Sequence, residues 1–187
     1  MDHEYLIPTE MLDAVLKQIE YDQEGAVVRL NELGAVYDTD PRLPFLCGSV
    51  LAGLGRYAEA RVKMRQAIVV SPDYDLARFQ LGFLELTSGD AEMAQATWLP
   101  LLNLPTENPL RLFVEGLKKM LADSFEEAIA LLTEGISRNQ LLPAMNSDMG
   151  LLIDEMTQKL NVPSDTIEID SDANFLLKQF SFKNTKH

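Results

Sequence analysis

Phe45-Leu46-Cys47-Gly48, Phe79-Gln80-Leu81-Gly82 and Phe113-Val114-Glu115-Gly116 are one four-residue pattern met three times, at intervals of 34 residues. Ala60, Ala94 and Ala128 keep the same interval. Three residue types sharing one period mark an internal repeat, and a period of this size belongs to stacked helical units. It divides the chain into 41–74, 75–108 and 109–142.

Inside each unit the residues spell a helix, a turn and a second helix. The first unit continues through Leu51, Gly55, Tyr57, Ala60, Met64, Ala67 and Pro72. The second runs through Gly89, Ala91, Ala94, Trp98 and Leu101, and the third through Phe125, Ala128, Leu132 and Gly135. A Gly on the first helix and an Ala on the second let two backbones approach, while larger residues fill the groove between them. Gly55 and Gly89 are expected to end the first helices in tight turns, and Pro72 to stop the second helix of its unit. Two departures stand out. Pro100 falls where the second helix of unit two should run, and is expected to shorten or kink it. Asp123 takes the turn position of unit three, and Glu115 is expected to pair with Lys119 four residues on.

The pattern resembles the tetratricopeptide-repeat (TPR) family, whose landmarks are Leu-Gly, then Tyr, then Ala, Phe and Pro. The resemblance covers 41–142. It implies an all-α helical solenoid of about three repeats with flanking helices, working as a protein-protein interaction module. It also implies that the first helices line a concave groove. On this chain the positions so marked include Phe45, Ser49, Phe79, Gln80, Phe83, Leu86, Phe113, Leu117 and Met120. They make a mostly apolar stripe with three phenylalanines in register. Such a stripe either receives an apolar segment of a partner or packs between helices. A clamp for an acidic C-terminal peptide would need Lys, Arg and Asn there, and these positions are apolar.

Outward from the repeats, 9–36 holds two more helical patterns, one opening at Thr9 as N-cap and one near Glu24. Shifted by the period, Ala26 falls level with Ala60 and Leu30 with Met64, so 1–40 reads as a degenerate repeat or helical pair. Pro143 to about Leu160 reads as a helix capping the array's apolar end. Residues 161–174 read as an acidic linker. Phe175, Leu176, Leu177, Phe180 and Phe182 then form an apolar tail with interspersed lysines, expected to dock on a groove of its own chain or of a second copy, or to pack on the cap.

Composition narrows the partner. The 187-residue chain carries 29 acidic against 16 basic residues, a net charge of −13. Nucleic acid is held mainly by Lys and Arg on its phosphates, so a nucleic-acid partner is not expected. The acidic N-terminus has no basic region leading into an apolar run, and no apolar stretch is long enough to span a bilayer. With the single cysteine Cys47, which forbids an internal disulfide, the chain reads as cytoplasmic, with no membrane insertion.

No phosphate-binding glycine loop is present, and His3 and His187 lie at opposite ends. Cys47 and Trp98 occupy core landmarks. No catalytic, metal or cofactor site is expected, and the chain is not read as an enzyme. Its size and repeat number look like the TPR chaperones of bacterial secretion systems, in architecture only. The expected function is an adaptor or chaperone that holds an apolar segment of another polypeptide. The alternative is a structural subunit or homodimer whose groove is filled by its own tail or by another protomer.

Overall fold

The computed structural model describes residues 6–140 and 143–161; the apolar tail of 175–182 lies outside them. The described residues form helices and connecting turns, with no strand among them. In chain order these are α1 (Thr9–Tyr21), α2 (Gln23–Val36), α3 (Arg42–Gly53), α4 (Tyr57–Val70), α5 (Asp75–Thr87), α6 (Ala91–Trp98), a 3-10 helix (Leu99–Asn103), α7 (Pro109–Leu121), α8 (Phe125–Arg138) and α9 (Pro143–Leu160).

The turns obey the sequence. Gly55 and Gly89 sit at φ +74° and +87°, the left-handed region that costs glycine nothing. At the matching place in the third hairpin Asp123 adopts φ +54°, so the turn survives the loss of glycine. Pro100 acts as expected. Helix α6 stops at Trp98 and the chain continues as the 3-10 helix, because proline offers no N–H to an α-helical ladder. Helix α4 ends at Val70, two residues before Pro72.

Two expectations are corrected. Thr9 is not an N-cap: it is the first residue of α1, and Pro8 holds the cap position without a side-chain bond. Proline has φ already near the helical value and so can precede a helix, though without a side-chain acceptor for its first N–H groups. Glu115 does not pair with Lys119. It accepts from Arg111 at 2.8 Å, while Lys119 reaches Glu127 on α8. Both partners lie on the i,i+4 or facing-helix side that the α7 register exposes to them.

The chain forms two compact units, 1–84 and 85–187, with the division falling inside α5. In the first, Val15, Val27, Leu30, Leu43, Cys47, Leu51, Ala60 and Met64 share one core. Gly48 shows why glycine stands there: a Cβ would lie 2.8 Å from Met64 Cγ and 3.1 Å from the Ala60 carbonyl oxygen. Ala26 and Ala60 are both wholly buried, so α2 presents to this core the small residue that α4 presents one period later. Buried Asp40 ties down the chain's entry. It accepts from the Ile7 backbone N–H at 3.1 Å and from the Arg42 guanidinium at 2.6 Å.

In the second unit α7 packs on α8 and α8 on α9. A Cβ on Gly116 would meet Leu132 Cδ2 at 2.7 Å, and one on Gly135 would meet the Phe113 ring at 2.6 Å. Met145, Met149, Leu152 and Met156, at helical spacing on α9, are buried. Burying that face of α9 stabilises the hairpin beneath it by removing apolar area from water.

Candidate functional site

The expected groove positions divide sharply by burial. Phe79, Leu86, Phe113, Leu117 and Met120 are at most 1% exposed, and Phe45 is 8% exposed. They are core side chains, so at these positions the stripe packs between helices. The physical reason lies in the helices themselves. Leu117 and Met120 share with Phe113 and Gly116 the buried side of α7, and an apolar residue at a close helix crossing gains more from packing than from facing water.

What reaches the surface is Ser49, Gln80 and Phe83, all partly exposed and all in the first unit. Helix α3 supplies Ser49, whose hydroxyl lies 3.0 Å from its own helix's Phe45 carbonyl. Across the interhelical space the Ser49 Oγ and Gln80 Oε1 of α5 stand 3.2 Å apart. One hydroxyl hydrogen serves one acceptor, so the pair leaves the Gln80 amide N–H groups for another acceptor. Phe83 stacks on Phe79 with ring centroids 6.2 Å apart and planes 11° apart. Phe45 meets Tyr74 at 5.1 Å in a tilted pair. The face is therefore a small amide-and-hydroxyl patch beside a partly exposed aromatic ring. It offers hydrogen bonds to a backbone and a contact for one apolar side chain. The sequence held the signal for this, since Ser49 and Gln80 are polar positions in a mostly apolar stripe.

Cys47 lies on the same helix and is 1% exposed. Burial pushes its thiol pKa up, with Lys63 the leading opposing charge, so it stays protonated and packs as a small hydrophobe. Among the described residues no group of three or more His, Cys, Asp or Glu side chains is placed to hold a metal ion. No described helix is long and apolar enough to cross a membrane.

No protein-family model matches the chain. A stretch of 75 residues, 40% of the chain, is 31% identical to tetratricopeptide repeat protein 34 of Mus musculus, and spans only 14% of that protein's length. Among solved structures, MamA from residue 41 to its end, from Desulfovibrio magneticus RS-1, superposes with a TM-score of 0.59 at 14% identity, covering 95% of this chain and 92% of that one. The ArsTM double mutant of MamA RS-1 gives the same TM-score at 13% identity, covering 95% and 93%. At such identities the likeness to the two solved structures concerns the fold. Period, helical hairpins and these likenesses agree, and the chain is a tetratricopeptide-repeat-like protein of all-α architecture.

Proposed function

We propose that this chain is a protein-interaction module, an adaptor or chaperone of the cytoplasm, built from repeat units 41–74, 75–108 and 109–142 between an N-terminal helical pair and the cap α9. Its partner is an extended segment of another polypeptide, held on the α3/α5 face. One observation carries the reading: Ser49, Gln80 and Phe83 gather polar and aromatic groups at the surface of an otherwise buried stripe. Amides fix a backbone and the ring accepts one side chain, which is how partly polar grooves combine register with affinity. The wholly apolar ligand expected from the sequence is replaced by a segment that presents carbonyl groups as well.

A photo-crosslinking residue at position 83 tests this. It should trap a discrete second polypeptide, and the same group at exposed Glu92 should not. Gln80→Ala with Phe83→Ser should abolish capture while leaving helicity intact. Equal trapping at both positions would overturn the assignment.

The alternative is a structural or self-assembling subunit, in which a second copy of the chain occupies this face. Light scattering separates the two. A mass of two or more copies, with no second polypeptide, favours the structural subunit.

A further inference from the structure

The outer side of α3 carries a different feature. A cavity of about 210 Å³ opens between α2 and α4, with Cys47 and Pro44 of α3 as its floor. Asn31 and Gly34 line one wall, and Lys63 and Gln66 the other. The volume is below the ~300–1,000 Å³ of pockets for drug-sized ligands, and suits one or two side chains.

Gly34 lies in the last turn of α2, two residues before its end at Val36, and has nothing within 4 Å of where a Cβ would stand. Glycine is a poorer helix former than alanine, and here no neighbour requires it. Its effect is to keep the cavity open. The charged group in the lining is Lys63, which makes no ion pair among the described residues. Arg61 and Arg65 flank it on α4, and the carboxylate nearest in sequence, Glu59, is already held by Arg56 at 2.7 Å. Asn31 donates to the Val27 carbonyl at 2.7 Å, which fixes its amide at the wall. Valines on α2 and α4 are exposed. Val28 is 59%, Val62 63% and Val69 75% exposed. Helical spacing puts Val28 on the face of Asn31 and Ala35, and Val62 and Val69 on the face of Gln66.

From this arrangement we infer that the α2/α4 cleft is a second docking site, for an acidic segment of a partner polypeptide in which carboxylates alternate with aliphatic side chains. One carboxylate enters the cleft and pairs with the Lys63 ammonium. The flanking aliphatic side chains lie on Val28, Val62 and Val69. The valines extend the apolar contact beyond the cavity, which selects a peptide over a small carboxylate. The site is separate from the α3/α5 face and stands or falls without it.

The probe is a fluorescein-labelled hexapeptide of alternating Val and Glu, titrated by anisotropy against the full chain. Saturable binding is expected below about 1 mM, weakened by salt. Replacing its Glu by Gln should cost tenfold or more, and a Val-Lys version should not bind. Lys63→Glu should lose binding. Gly34→Leu should fill the cleft and do the same with unchanged helicity, and a Gln80→Ala, Phe83→Ser chain should bind like the parent. If Gly34→Leu does not fold, Lys63→Glu alone decides. No saturation by 1 mM, or equal affinity for the parent and Lys63→Glu, overturns the proposal.

Discussion

The two compact units solve the same problems with different residues. Each contains a hairpin of the common period, α3/α4 in one and α7/α8 in the other. Each hairpin has a glycine at the helix crossing, Gly48 against Met64 and Gly116 against Leu132. The turns differ: Gly55 takes its left-handed conformation freely, and Asp123 takes it against steric preference. Each unit also holds a carboxylate whose pKa its surroundings shift. Burial pushes Asp40 upward, but the Arg42 guanidinium and the Ile7 N–H outweigh it and hold its pKa below the ordinary value. Asp148 on α9 has burial alone acting on it, and its pKa rises to about 6. The repeat thus dictates where backbones must approach. It leaves the turns and the polar ties to local sequence.

The largest effect that could break this comparison lies in the cores. Phe113→Ala should cost about 3–5 kcal/mol, as for a fully buried aromatic, and Phe45→Ala less, since Phe45 keeps some exposure. Denaturant melts of both variants measure it. A larger loss at Phe45 would mean that the first hairpin, not the third, carries the tighter core.

Next come the carboxylates. Asp148 binds its proton more tightly when folded, so its contribution to stability is present below the unfolded pKa near 4 and is lost as pH rises through about 6. Asp148→Asn should therefore stabilise the chain at pH 7, by on the order of 1 kcal/mol after allowance for its remaining exposure. It should also flatten the stability profile between about pH 4 and 6. Asp40 has the opposite sign. Its contribution is present above the unfolded pKa and is lost on acidification through the depressed folded value, so Asp40→Asn should destabilise at pH 7. Melting temperatures across pH 3–8 check both, and a gain for Asp40→Asn would sink the contrast.

The smallest effect sharpens the turns. Gly55→Asp should cost, and Asp123→Gly should gain, about 0.5 kcal/mol each, because the left-handed strain is partly offset in both by the greater freedom of glycine in the unfolded chain. Paired urea titrations would show it. Unequal shifts would mean that the two turns do not pose the same local demand.

Much of the fold could be read before any coordinates. Gly55, Gly89, Pro100 and the span 143–160 each carry a local stereochemical demand, and such demands do not depend on distant residues. The site was less legible. Phe79 and Phe113 sit in register with Phe45, but register says which side of a helix a residue occupies, not whether another helix covers that side. The ion pairs failed for a related reason: Glu115 had Arg111 and Lys119 both four residues away, and spacing alone does not choose between them. Gly34 gave no sequence signal either, because a helical glycine looks the same whether it meets a neighbour or opens a cleft.

Pro100 has a consequence for how the molecule comes apart. In a stacked array each hairpin is stabilised by itself and by its neighbours, so stability is distributed along one dimension. The second hairpin closes with eight α-helical residues and a 3-10 segment, whose hydrogen-bond geometry is poorer, while α4 and α8 each run for fourteen. Amide protons of residues 91–103 should therefore exchange with solvent deuterium ahead of those in α4 and α8. Heated slowly, such a chain should loosen first at the proline.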